Sequence, residues 1–511
     1  MSAPTIVEGF RLSPQQRRLW MLQQDDESSF CSQLVLLLEG ELQIDDLRAA
    51  LKQVCARHES LRSTLTCLPG VVMPILAVVD DLDISWRTVD LCGELEEALA
   101  AERQREFDLE YGPLVHATLY ALSPARHVLS IAVPALCADK RTLSNLFTEL
   151  CQCYASAIEG EDEPFQYLQF AEWQNTLTGE PEAKDGKEYW GKQELSAAAS
   201  VRLPGQRRTG NERRSAMQSL KMSLPSEMAA HIAAFAERYD ATRVNVLLAV
   251  WQTLLWRLTR RPIIVGNVCE GRSYELLSAA FGLFARALPV HCRFEDGLSF
   301  AEVVAHIATL QHEATEWQDY FELGQAADGT SNYFTFGYEY TELPAARNER
   351  GVQFSIFHQH CGVERFRLKL SSISNEELEF EYDDTAFIET HVRHLAGQFQ
   401  TLLAAALANP EEQVDDYDIV SNAEREQILF TWNQTQRDYA LDHCLHQLFE
   451  EQVKRTPDAA AVVFKDSQLT FHELNQRANQ LAHYLQAHGV GPEIPVGLCF
   501  ERSLEMIVGL L

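Results

Sequence analysis

The side chains in this sequence that could do chemistry are few and scattered. His358-Gln359-His360-Cys361 places three potential metal ligands within four residues. On a strand His358 and His360 share a face, because side chains alternate. No second cluster completes a four-ligand set at usual spacing, so a polar strand end is the reading taken and no metal is expected. Twelve cysteines in 511 residues are too sparse for a disulfide framework. Cys151 and Cys153 fall in a helical pattern, where residues two apart point to different faces. Generic signatures are absent: there is no G-x-S-x-G, G-x-x-x-x-G-K-[ST], G-x-G-x-x-G or H-E-x-x-H. One loop stands out by its context. Pro134-Ala135-Leu136-Cys137-Ala138-Asp139 joins the apolar run from His127 to Val133 to a stripe of Leu143, Leu146, Phe147, Leu150 and Tyr154. That pattern reads strand, loop, helix.

The elements around this loop fill a large chain. At ~150 residues per domain, 511 residues make roughly three domain-sized units, and 46% hydrophobic with 23% charged is globular composition. Ser32 to Leu38 reads as a strand. Ile44, Leu47, Leu51, Val54, Cys55 and Leu61 follow helical spacing behind Asp45 and Asp46, which suit a first turn. A polar stretch, Glu159 to Glu163, precedes helical sequence to Trp190, and Ala197 to Glu212 reads as a linker between lobes. Strand patterns recur at Met217 to Leu224, Pro262 to Val268, Ala287 to Phe294, Tyr333 to Tyr340, Val352 to His358, Phe366 to Ile373 and Glu377 to Tyr382. Helical patterns lie between them, the strongest from Val244 to Leu258. Two mixed α/β lobes of ~200 residues each are expected, at 10–195 and 196–420, then a linker at 421–440. A further unit, 441–511, ends inside the apolar run Ile507 to Leu511, so a domain cut short is expected there.

Charge and hydropathy remove several function classes. The balance is 43 basic against 74 acidic residues, a net −31, spread along the chain. A nucleic-acid or anionic-membrane binder needs a basic footprint. The one basic cluster, Arg207, Arg208, Arg213 and Arg214, sits among Pro204, Gly205 and Gly210 and reads as a solvated loop. Nucleic acid and membrane are therefore excluded as expected partners. The longest apolar run, Val244 to Trp256, is too short to span a bilayer and carries Asn245 and Gln252. Without a secretory leader pattern, a soluble cytoplasmic protein is expected.

Several short motifs, in order, resemble one family. Ser13-Pro14-Gln15-Gln16-Arg17-Arg18-Leu19-Trp20-Met21-Leu22 resembles the S-x-A-Q-x-R-L-W-x-L opening of nonribosomal peptide synthetase condensation domains. Arg57-His58-Glu59-Ser60-Leu61-Arg62 resembles their R-H-E-x-L-R. Phe170-Ala171-Glu172-Trp173-Gln174, Tyr189-Trp190, Gly271-Arg272, Gly282 to Pro289 and Tyr382-Asp383-Asp384 with Phe387 match later segments. In the tail, Cys444 to Phe449, Arg455-Thr456-Pro457-Asp458, Leu469 to Leu474 and Glu501 to Met506 resemble the start of an amino-acid adenylation domain. The resemblance implies a mixed α/β, chloramphenicol-acetyltransferase-like fold of two lobes with a tunnel between them. It further implies substrates carried as thioesters on phosphopantetheine arms of peptidyl carrier proteins, and amide bond formation. ATP would enter only in a complete adenylation domain, whose phosphate loop lies beyond the matched tail, so no cofactor is expected on this stretch itself.

The departure from the family lies in its active-site signature, H-H-x-x-x-D. The matching stretch here is Pro134-Ala135-Leu136-Cys137-Ala138-Asp139, without either histidine. An imidazole suits general-base work on an attacking amine because its pKa lies near operating pH. Ala135 has no titratable group, and Pro134 lacks a backbone N–H. Cys137 would need a base to act as a nucleophile, and the motif holds none; a buried structural thiol is the plainer reading. The resemblance implies that Asp139 braces the loop through Arg272, a pair that supplies no proton shuttle because Arg stays charged. Arg286 stands at the family's Asn position and Trp317-Gln318 where His-Gln is common, so both are candidates to narrow the tunnel. No catalytic residue is expected. The leading expectation is a non-catalytic platform that recruits a carrier protein or a tailoring enzyme such as an oxygenase. Two alternatives stay open: amide formation by proximity alone, which can supply ~7–11 kcal/mol, and a structural relic.

Overall fold

The computed structural model describes residues 6–26, 30–67, 70, 73–80, 83–91, 94–155, 163–177, 179–193, 201–207, 217–322, 334–374, 376–438 and 442–511. The chain forms two compact units, Met1–Asn422 and Ala423–Leu511. The first contains β1 (Cys31–Glu39), α1 (Ile44–Arg57), β2 (Ser85–Asp90), β3 (His116–Ser123), β4 (Arg126–Pro134) and α2 (Lys140–Tyr154). There follow β5 (Met217–Ser223), α3 (Arg243–Thr259), β6 (Val265–Cys269), β7 (Arg286–Val290), α4 (Phe300–Glu316) and β8 (Phe336–Thr341). β9 (Arg347–Glu349), β10 (Val352–Cys361), β11 (Leu368–Ile373), β12 (Glu377–Asp383) and α5 (Glu389–Ala408) complete the two lobes.

Two six-stranded sheets result. The first runs β9-β10-β1-β4-β3-β2 and the second β7-β6-β8-β11-β12-β5. β9 and β10 come from the later half of the chain yet extend the first sheet: β10 pairs antiparallel with β1 from Gln353 opposite Glu39 to Cys361 opposite Ser32. The lobes are thereby interleaved. No local pattern announces such a crossing, because Val352 to His358 reads as a strand whichever sheet receives it.

Packing explains the helices. The α2 stripe Leu143, Leu146, Phe147 and Leu150 is buried against Leu47, Leu51 and Val54 of α1 and Leu34 and Leu36 of β1. In the second lobe α3 is buried almost throughout, with Trp251 among Phe336, Tyr338, Leu370, Phe380 and Phe399. Starts are fixed by caps: Thr242 with Asn245 for α3 and Ser299 with Glu302 for α4 form reciprocal capping boxes. The segment 201–207, expected as linker, instead places Val201 and Leu203 in the second core and donates from Arg207 N–H to the Ala386 carbonyl at 2.9 Å. Two apolar side chains there outweigh the Pro and Gly. The rest of the expected linker lies outside the described residues, as do Arg208, Arg213 and Arg214 of the basic cluster, most of the polar stretch Glu159 to Glu163, and Tyr333.

β8, β11 and β12 alternate apolar and polar residues, the usual sign of a sheet with one wet face. Tyr338, Leu370 and Phe380 enter the second core as that pattern predicts. The opposite face carries Glu339, Lys369, Ser371, Glu379 and Glu381, and these are buried too. Lys140 of α2 and His360 of β10 lie against it from the first lobe.

In the second unit α6 (Leu445–Arg455), a β13–β14 hairpin (Ala460–Phe464, Ser467–Thr470), α7 (Phe471–Ala487) and α8 (Leu504–Leu510) surround a small core of Leu469, Leu474 and Leu504. Among the described residues no helix is long and apolar enough to cross a membrane.

Candidate functional site

The loop from Pro134 to Asp139 leaves the end of β4, where Pro134 lies opposite Cys31 of β1. Ala135 N–H donates to the Phe30 carbonyl at 3.0 Å, and Cys137 N–H donates to the Pro134 carbonyl at 2.9 Å, closing a tight turn. Ala135 is 0% exposed, packed in a cluster with Leu136, Tyr167, Leu168 and Phe284. Water does not reach its side chain. Cys137 points the other way, into the first core with Leu143 and Phe147. Burial pushes its thiol up to about 12, so it stays protonated and inert at neutral pH.

Asp139 is the N-cap of α2 and the most heavily bonded side chain of the loop. Its Oδ1 accepts from Thr142 N–H at 2.8 Å and from Arg272 Nη2 at 3.0 Å. Its Oδ2 accepts from Arg272 Nη1 at 2.8 Å and from the backbone N–H groups of Phe284 and Ala285, each at 3.0 Å. Five donors use up the carboxylate's acceptor capacity, so none is left for a substrate proton. Arg272 is equally committed: it donates to Thr142 Oγ1 and to the carbonyls of Glu270 and Ala280, and stacks over the Phe284 ring at 4.2 Å. Gly282 adds a stitch between the lobes, its carbonyl accepting from Thr142 Oγ1 at 2.8 Å and its N–H donating back at 3.0 Å. The bidentate pair holds two segments in register.

Arg286, the first residue of β7, is buried beside this segment. It donates to the Gln318 carbonyl and to Asp319 Oδ1, the latter at 2.9 Å, so the guanidinium is tied to the turn after α4. Burial pulls its pKa down, with Asp319 opposing. It lines a cleft of about 290 Å³ with Arg17, Arg18, Met21, Phe321 and Glu364. Trp317 packs in an aromatic cluster with Tyr189, Trp190 and Tyr320; its carbonyl accepts from Trp190 Nε1 at 2.8 Å. The loop, Arg272 and Arg286 thus meet at one place, while Cys137 faces the first core and Trp317 packs on Tyr189.

Residues singled out by no motif complete the site. Lys140, directly after Asp139, reaches across to Glu339 of β8, Nζ to Oε2 at 2.8 Å. Glu339 Oε2 also accepts from Lys369 Nζ of β11 at 2.9 Å, and the same Nζ lies 2.9 Å from Glu381 Oε1 of β12. Lys140 and Glu339, with Asp139, line a void of about 30 Å³, room for a water molecule or two. Ala285 and Val363 wall both this void and the larger cleft. The signal available in the sequence was the second face of three alternating strands, carrying Glu339, Lys369 and Glu381, which reads as solvated until both faces are seen to be covered. His358 and His360 belong to this neighbourhood as neutral rings. Burial pulls them down to about 2 and about 4, and His360 Nδ1 lies 3.9 Å from Glu381. Among the described residues no group of three or more His, Cys, Asp or Glu is placed to hold a metal ion.

Comparison with known proteins now decides the family. The condensation-domain family model matches residues 8–429. The chain belongs to the condensation-domain family. Residues 449–511 match the AMP-binding enzyme family, so this condensation domain runs on into the start of an adenylation domain. Bacitracin synthase 1 of Bacillus licheniformis is 28% identical over 98% of this chain and 10% of its own length. Gramicidin S synthase 2 of Brevibacillus brevis is 29% identical over 98% of the chain and 12% of its own length. The chain thus spans about a tenth of these curated relatives. Its two matched families and these relatives make it part of a nonribosomal peptide synthetase. Among solved structures, holo-AB3403, a four-domain nonribosomal peptide synthetase bound to AMP and glycine, superposes with a TM-score of 0.80 at 15% identity, covering 96% of this chain and 40% of that one. The X-domain in complex with OxyB from teicoplanin biosynthesis matches with a TM-score of 0.66 at 21% identity, over 83% of this chain and 99% of that one. These likenesses show the mixed α/β condensation-domain fold.

Proposed function

We propose that this condensation domain does not form peptide bonds and serves instead as a platform on which a carrier protein or a tailoring enzyme docks. One observation carries the reading: Ala135, at the position where the family's second histidine stands, is sealed among apolar side chains. Around it, Cys137 is held protonated and Asp139 has all its acceptor sites filled, so no neighbour supplies the missing base. General acid–base assistance contributes typically 10²–10⁴-fold, and its loss leaves any proximity effect slow. The X-domain bound to OxyB, a member of the same fold group by superposition, supports the choice of an oxygenase as the tailoring partner. On this reading the phosphopantetheine arms belong to partner carrier proteins in the cytoplasm, and ATP is handled by the adenylation domain.

The test loads a donor and an acceptor carrier protein, adds the 511-residue chain, and follows dipeptidyl thioester by mass spectrometry. Background turnover is expected. Turnover comparable to that of a histidine-bearing condensation domain, run in parallel, overturns the reading.

A further inference from the structure

The charged row between the lobes asks for an explanation that the fold alone does not give. Lys140, Glu339, Lys369 and Glu381 alternate in sign, and each is no more than 7% exposed. Every neighbouring pair is in direct contact, at 2.8, 2.9 and 2.9 Å in order. Lys140 stands on α2 of the first lobe, and the other three stand on adjacent strands of the second sheet. His360, on the strand that crosses back into the first sheet, faces the far end of the row at Glu381. The row therefore starts and ends against the first lobe with the second sheet between.

A well-packed apolar seam of the same volume would hold two lobes as firmly or more firmly, because taking charges out of water offsets most of their attraction. What an ionic seam adds is reversibility. When its halves part, each charge regains its hydration, whereas an apolar seam exposes surface that water disfavours. The position of the seam matters equally. Its Lys140–Glu339 end lines, together with Asp139, a void of about 30 Å³, while the adjoining cleft beyond Ala285 and Val363 keeps about 290 Å³.

We propose that the Lys140–Glu339 bond, backed by Lys369 and Glu381, is a bolt between the lobes that closes the space beside Asp139, at the end of the loop, to anything larger than water, and that releasing it opens that space. The bolt deepens the non-catalytic reading and rests on it for its purpose: a domain that docks partners without reacting gains by keeping a thioester arm out of its centre. The bolt and the missing base are tested by different measurements, thiol labelling and dipeptide formation, so either can fail alone.

Cys269 provides the reporter. It is partly buried and lines the void with Lys140 and Glu339. Cys55 in the first core and Cys292 in the second serve as controls. The full chain, as wild type, Lys140→Met and Glu339→Gln, is treated with N-ethylmaleimide, and each cysteine's rate is followed by peptide mass spectrometry. In Lys140→Met, Cys269 is expected to react at least tenfold faster while Cys55 and Cys292 keep their wild-type rates. A Cys269 rate within twofold of wild type in a variant that still melts cooperatively overturns the bolt. If Lys140→Met exposes all three thiols, Glu339→Gln decides, since it weakens the same bond and leaves α2 untouched. Selective acceleration of Cys269 there supports the proposal, and a parallel rise of all three, or none, overturns it.

Discussion

Removing Arg272 tests whether the two segments around the loop are held together by one buried ion pair. Arg272→Met deletes the charge while keeping much of the side-chain volume. It breaks both bonds to Asp139, the bond to Thr142 Oγ1 and the contact with the Phe284 ring. Side chains of Arg272 and Asp139 are 3% and 1% exposed, so water cannot take over. Removing one partner of such a pair costs ~3–5 kcal/mol. Asp139 keeps three backbone N–H donors, from Thr142, Phe284 and Ala285, which places the cost near the lower end, about 3 kcal/mol. Asp139→Asn strands the guanidinium, which retains the carbonyls of Glu270 and Ala280, at a similar cost. In the double variant neither charge remains to be stranded. Its total is then expected to lie close to either single value, leaving a coupling of about 2–3 kcal/mol. At ~2 °C per kcal/mol for a unit of this size, each single variant is expected to melt ~6 °C lower. The cycle is read from urea midpoints at constant m-value, with melting temperature as a second probe. Costs that simply add in the double variant, or an Arg272→Met midpoint indistinguishable from wild type, refute the reasoning.

Three further outcomes follow from the same geometry. Gly271 has φ +69°, and a Cβ there would lie 2.0 Å from the Phe284 carbonyl oxygen; Gly271→Ala is expected to cost at least ~2 kcal/mol, and a fully stable variant by urea titration contradicts the close approach. Ala135→His forces an imidazole into the cluster of Leu136, Tyr167 and Phe284. It is expected to lose ~1–3 kcal/mol through overpacking without gaining dipeptide formation, and a variant both stable and active shows that the pocket can still host the base. His358 and His360 are held neutral by burial, at about 2 and about 4. When unfolded, both titrate near ~6.5. Their folded values are depressed, so the stability they contribute is complete above ~6.5 and is lost as pH falls towards the folded values. Melting temperature is expected to decline between pH 7 and pH 5, and to decline less in His358→Asn/His360→Asn. Equal slopes contradict the burial of these rings.

Much of this protein is written locally. The period-3.6 stripe from Leu143 to Tyr154 must be a helix wherever it lies, because only one face is apolar, and Asp139 ahead of it is a natural cap. Every strand pattern of the second half, from Met217 to Tyr382, corresponds to an observed strand, with ends shifted by up to four residues. The absence of a base at Pro134-Ala135 needs no coordinates, since neither side chain can carry a proton. What the sequence could not decide is which surfaces meet. Alternation along Phe336–Thr341 and Leu368–Ile373 separates an apolar face from a charged one, but burial of the charged face depends on a second lobe arriving from 200 residues away. The partners of Lys140 and Arg272 are likewise set by that arrival, as is the crossing of β10 into the first sheet. Secondary structure follows from short-range periodicity. Pairing of charges across a buried seam follows from chain topology, which the tertiary structure alone supplies.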